Sequence, residues 1–167
     1  MRAKTGDAVD TNPGGRRYQL AQFRVVLVRE GTVPTAWDRR MHASHDVATL
    51  MRPLVAGLDR EQFWVLLLNG RNRAIGINLV SIGALTATLV HPREVMKPAI
   101  LSNAAAIVLV HNHPSGDPAP SPEDIALTQR LWAAGELLGI RVLDHVVVGA
   151  EDAYCSLADQ GVLGGAR

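Results

Sequence analysis

Residues 105–113 read AAIVLVHNH, an almost unbroken apolar run that ends in three polar residues. A run this short and β-branched, without alternation, suits a central strand covered on both faces. A chain containing such a strand must supply the layers that cover it. SPEDIALTQRLWAAGELLG (121–139) predicts a helix: Ser121 is the N-cap, Pro122 occupies N1, Asp124 sits at N3 and Gly139 closes it. IRVLDHVVVG (140–149) predicts the next strand, and AYCSLAD (153–159) a last one.

Upstream, SHDVATLMRPLVAGL (44–58) has helical spacing, with Ser44 as candidate N-cap and Pro53 expected to kink or split it. EQFWVLLLN (61–69) and AIGINLV (74–80) flank the turn signal NGRN and predict a hairpin. ALTATLV (84–90) predicts a further strand. HPREVMKPAILSN (91–103) predicts a helix with Pro92 in its first turn, although Pro98 opposes it. YQLAQFRVVLVRE (18–30) reads as a strand and GTVPT as its end, while residues 1–15 read as a disordered tail. The expectation is an α/β fold, a mixed sheet flanked by helices. It occupies one domain over 44–167, preceded by an N-terminal strand extension over 16–43 that could pair with a sheet edge, its own or that of a second copy.

Composition excludes several functions. Apolar residues make up 47% and charged residues 20%, an ordinary globular balance. With a formal net charge of +1 and no run of five like charges, the electrostatic case for gripping a phosphate backbone is missing, so DNA binding by this chain alone is disfavoured. Aromatics at 4% provide no stacking platform for single strands. The single cysteine, Cys155, rules out an intrachain disulfide and is expected to be a buried, inert thiol. The polar N-terminus lacks the apolar segment of a secretory signal, and no apolar run approaches the ~20 residues of a membrane helix. The expected compartment is the cytoplasm, with no membrane partner.

The chemistry lies where the central strand ends. Residues i and i+2 of a strand point to one side, so His111 and His113 present both imidazoles together. PSGDPAP turns the chain, and the following helix delivers Asp124 in its first turn. Two imidazoles and a carboxylate are the ligand set of an open zinc site, whose fourth position holds a water with a pKa of about 7. The competing reading of Asp124 is a capping box alone, because S-P-E-D already starts a helix without any metal. Asp117 is expected to stabilise the turn. Asp144 and His145 are either a satisfied structural pair or residues that orient a ligand histidine. His91 is expected to cap its helix or touch the site rim, and His42 and His45 to face solvent. The zincin pattern H-E-x-x-H, the deaminase pattern with P-C-x-x-C and glycine-rich phosphate loops do not occur.

H-N-H, seven residues, then S-x-x-D resembles the JAMM motif of the JAB/MPN metalloprotease fold. The flanking text VHPREV, NAAAIVLVHNHPSGDPAPSPEDIALTQRL and LLGIRVLDHVVVG is similar to the bacterial RadC branch, over about residues 45–158. The resemblance implies a curved mixed sheet with flanking helices, like that of the zinc-dependent deaminases. It implies Zn2+ held by His111, His113 and Asp124, with Glu61 as general base and Ser121 as donor to an oxyanion. The implied activity is amide hydrolysis of a peptide or protein substrate. The RadC label also implies a DNA-repair or DNA-processing accessory role, although longer members carry an N-terminal helix-hairpin-helix module that the first ~40 residues here do not resemble. A metal-binding scaffold without catalysis is a third reading.

Overall fold

The run at 106–112 becomes the middle of a sheet, and its neighbours follow from what each can bury. A computed structural model describes residues 21–32, 40–83 and 90–163. In chain order the described elements are α1 (Ser44–Val55), β1 (Gln62–Leu68), β2 (Ala74–Ile82), α2 (Pro92–Leu101), β3 (Ala106–Asn112), α3 (Pro122–Leu138), β4 (Arg141–Val148) and β5 (Tyr154–Ser156). The sheet order is β2-β1-β3-β4-β5, with β3 and β4 parallel and the other neighbours antiparallel. A parallel pair needs a crossover, and α3 provides it. The result is the expected mixed α/β architecture.

Every residue of β3 is buried, so both its faces carry apolar side chains. Phe63, Val65, Leu67, Ile107 and Leu109 face α2 and α3, where they meet Val95, Met96, Leu127 and Leu131. Leu66, Leu68, Val108 and Val110 face α1, against Val47, Met51 and Val55. Burying a side chain of this size contributes roughly 1.5–3 kcal/mol.

One irregularity decides what faces α3. Ile107 pairs with Val142, but Val108 pairs with Asp144, so Leu143 is an extra residue in β4. A one-residue slip reverses which side chains face each layer. Val142 joins the α3-side core, yet two positions later the parity has changed, and His145 pairs with Leu109 on that same side.

Several boundaries differ from the sequence expectation. The strand expected over 18–30 does not form in the described residues 21–32, which pair with no described strand and leave Phe23 and Val28 86% and 73% exposed. Strand propensity without a ladder partner does not make a strand. The strand expected over 84–90 falls on residues 84–89, which lie outside the described residues, as does the tail at 1–15; Val90 is buried in the core. Ala43, not Ser44, is the N-cap of α1, and the Asp46 carboxylate accepts from the His42 and Ala43 amides while the Ser44 hydroxyl donates to Asp159. Pro53 does not split α1, because it lies in the final turn, where little helix remains to disrupt. Pro98 likewise stays inside α2, buried.

α3 is pressed tightly onto the start of β4. A Cβ on Gly135 would lie 2.5 Å from the Ile140 carbonyl oxygen and 3.0 Å from Val142 Cγ2. Helix propensity alone favours alanine over glycine by about 1 kcal/mol. Here the backbone contact opposes it, and Gly135→Ala is expected to destabilise the fold by roughly 1–3 kcal/mol in urea unfolding. A more stable variant would show that the helix has room to move.

Candidate metal centre

β3 ends by delivering His111 and His113 toward α3. The two Nε2 atoms are 3.0 Å apart. His111 is fully buried, and the His113 side chain is 14% exposed, so the site opens to solvent on the His113 side. The loop after β3 returns to hold His113: the Asp117 carbonyl oxygen lies 2.8 Å from His113 Nδ1. A carbonyl only accepts, so His113 carries its hydrogen on Nδ1, and Nε2 of the neutral ring is bare. The Asp117 carboxylate closes the turn by accepting from the Ala119 amide, as expected. The loop is seated on the end of β4, where a Cβ on Gly149 would lie 2.4 Å from the Gly116 oxygen.

Asp124 is both cap and site residue, because a carboxylate has two oxygens. Oδ2 accepts from the Ser121 amide at 2.8 Å and the Ser121 hydroxyl at 2.7 Å. The Asp124 amide in turn donates to Ser121 Oγ. Oδ1 lies 3.3 Å from His111 Nε2, and Oδ2 lies 3.5 Å from His113 Nε2. Burial alone would raise the Asp124 carboxyl. The hydrogen-bond and charge interactions with His111, with the two Ser121 donors, outweigh this and hold it well below the ordinary carboxylate range. A cation among these atoms would meet the same electrostatic need.

One ligand atom from each of His111, His113 and Asp124 lies within 4.8 Å of the others, and these three are the one such group among the described residues. Four ligands about 2.0–2.1 Å from a tetrahedral ion sit about 3.3 Å from each other. The His111–His113 and His111–Asp124 Oδ1 separations of 3.0 and 3.3 Å are close to that figure, while the nearest carboxylate oxygen to His113 is Oδ2, at 3.5 Å. The His-His-Asp group can therefore hold a metal ion.

Glu61 lies just before β1. Extending the register in which Phe63 faces His111 brings Glu61 level with His113 and, by alternation, onto the same side of the sheet. Asn112 pins this segment: its Oδ1 accepts from the Gln62 amide at 2.8 Å, and its Nδ2 donates to the Arg60 carbonyl at 3.1 Å. The middle residue of H-N-H thus fixes the backbone on both sides of Glu61, a role that sequence reading missed.

Beneath the site lies a buried polar chain. His145 Nε2 is 2.8 Å from His111 Nδ1, and His145 Nδ1 is 2.5 Å from Thr128 Oγ1. Thr128 Oγ1 also donates to the Asp124 carbonyl at 2.6 Å. Phe63 stacks on His111 and meets His145 edge-on. Burial drives the His145 pKa well below its ordinary value, so this imidazole is neutral. Thr128 was not anticipated, although its i+4 spacing from Asp124 placed it on the same helix face.

The remaining histidines and the thiol are peripheral. His91 caps α2, accepting from the Arg93 amide. His42 and His45 are exposed. Cys155 is half-buried rather than buried, and desolvation pushes its thiol up, away from reactivity.

The His-His-Asp group, which could hold a metal ion, thus lies at the end of a β3–α3–β4 unit of a mixed α/β domain. A profile described as "RadC-like JAB domain" matches residues 41–162, so the chain belongs to the RadC-like JAB domain family. Curated relatives are named only "UPF0758 protein". One from Desulforudis audaxviator is 49% identical over 129 residues, 77% of this chain and 56% of that protein. One from Methanosarcina mazei is 46% identical over 144 residues, 86% of this chain and 60% of that protein. One from Symbiobacterium thermophilum is 53% identical over 119 residues, 71% of this chain and 50% of that protein. The chain spans about half to three-fifths of the length of these relatives. No helix among the described residues is long and apolar enough to cross a membrane.

Asp144 and His145, adjacent in sequence, do separate work. Asp144 accepts from the His145 and Ala158 amides and the Ser156 hydroxyl, tying β4 to the C-terminal segment. Burial nevertheless raises its carboxyl above the ordinary value. A carboxyl with a raised folded pKa binds its proton more tightly when folded. Its contribution to stability is therefore greatest in acid and falls as pH rises from the ordinary carboxylate value through the folded one. Asp144→Asn is expected to flatten that part of a urea-midpoint profile. Asp144→Ala, which strands two amide donors, is expected to cost about 2–4 kcal/mol at neutral pH. A profile unchanged in Asp144→Asn would contradict this.

Proposed function

We propose that this chain is a zinc-dependent hydrolase of amide bonds, acting on a peptide or protein substrate as a peptidase or isopeptidase. The observation that carries the reading is the convergence of His111 Nε2, His113 Nε2 and an Asp124 oxygen within 4.8 Å of one another, in a site walled by protein below and open beside His113. Held by His111, His113 and Asp124, a zinc ion would supply Lewis acidity, able to lower the pKa of water to about 7 and to polarise an amide carbonyl.

The chain's own residues would do the rest. Glu61 sits level with His113 on the open side, where its carboxylate can take a proton from the attacking water and return it to the leaving nitrogen. Asn112 holds the backbone around Glu61 so that this reach stays short. The Ser121 hydroxyl at rest donates to Asp124 Oδ2. As substrate arrives, it turns to donate to the developing oxyanion, a contribution typically worth ~3 kcal/mol of barrier. The family membership supports the reading, since JAB domains are associated with hydrolases.

The test separates the metal from the base. With zinc-loaded protein and a panel of peptide and isopeptide substrates, Glu61→Gln is expected to keep one equivalent of zinc and lose roughly 10²–10⁴-fold in kcat. His113→Ala is expected to lose both metal and turnover. Equal metal loss in the two variants would reassign Glu61 as a ligand. No cleavage of any amide by the loaded native chain would leave a metal-binding scaffold instead.

A further inference from the structure

We infer that Thr128 and His145 order the protons beneath the site, so that His111 presents a bare Nε2 to a cation. The inference rests on the metal reading of His111, His113 and Asp124, but on no hydrolytic activity.

A threonine hydroxyl has one hydrogen. Thr128 Oγ1 faces the Asp124 carbonyl oxygen at 2.6 Å and His145 Nδ1 at 2.5 Å. The carbonyl has no hydrogen to give, so the hydroxyl donates to it, the i−4 back-bond that threonine often makes in a helix. The hydroxyl must then accept from His145, which places a hydrogen on His145 Nδ1. His145 is fully buried, with Phe63 edge-on, and its ring is neutral. Its Nε2 is therefore bare and accepts from His111 Nδ1 at 2.8 Å. His111 is left with its hydrogen on Nδ1 and with Nε2 turned to Asp124 and His113.

α3 thus serves the site twice. In its first turn it supplies Asp124, and one turn later it supplies the hydroxyl that sets the tautomer of a ligand on another element. His113 reaches the same tautomer by a separate device, the Asp117 carbonyl. Thr128 and His145 are positioning residues: neither offers an atom to the metal.

Thr128→Val keeps the shape of the side chain and removes the acceptor. His145 Nδ1–H then has no partner, and the favoured tautomer moves the hydrogen to Nε2. That N–H donates to His111 Nδ1 and shifts the His111 hydrogen onto Nε2, where it blocks coordination.

Two readouts test this: long-range 1H–15N correlation of the imidazole nitrogens in metal-free protein, and competitive chelator titration with Zn2+ alone. The native protein is expected to show Nδ1–H on both His111 and His145. Thr128→Val is expected to reverse both tautomers and weaken zinc binding by roughly 10–100-fold. Thr128→Ser is expected to restore both, although it lacks the methyl group, which a packing role could not explain. Native His145 protonated on Nε2, or native tautomers and affinity in Thr128→Val, would overturn the inference. If Thr128→Val does not fold, the native tautomers alone decide. Native protein that shows both Nδ1–H tautomers yet takes up no zinc would refute the metal reading while supporting the proton order.

Discussion

Three groups that bear lone pairs meet at the end of β3, and such an arrangement needs positive charge between them. His111 Nε2 lies 3.0 Å from His113 Nε2 and 3.3 Å from an Asp124 oxygen. Acceptors this close repel in a largely buried site, and a cation among them relieves the repulsion. The surrounding architecture holds them there. The parallel β3–β4 pair requires a crossover, the crossover is α3, and the first turn of α3 must start where β3 and its loop end. Asp124 is brought to the histidines by topology, and the Ser121 capping box fixes its angle.

Much of this was legible in the residues. The unbroken apolar run predicts a central strand, and β3 is buried along its whole length. S-P-E-D and Gly139 predict both ends of α3, and NGRN predicts the hairpin between β1 and β2. The H-x-H spacing predicts two imidazoles on one side. The capping box at Asp124 does not by itself exclude ligation, since Oδ2 closes the cap while Oδ1 faces His111. Such a division is hidden from sequence, because residue identity does not say where a second lone pair points.

What was illegible has physical reasons. His145 was read together with Asp144 as one unit, but side-chain parity in β4 depends on the extra residue at Leu143. Bulges of this kind carry no reliable sequence mark when no glycine forms them. Without the slip, strict alternation from Val142 would aim Asp144, rather than His145, at α3. The role of Asn112 has no local sequence mark, because its amide holds the Arg60–Gln62 backbone, about 50 residues away along the chain. The strand expected over 18–30 had the right composition and no partner, which propensity cannot foresee.

The central claim is that two imidazoles and one carboxylate hold a single divalent ion that keeps a place for solvent. X-ray absorption at the zinc edge, on protein titrated with one equivalent of zinc, tests it most directly. The account predicts a four-coordinate ion with two imidazole nitrogens and two oxygens at about 2.0–2.1 Å, one oxygen exchangeable. A six-oxygen hydrated ion, a sulfur in the shell, or four ligands all from protein would contradict it.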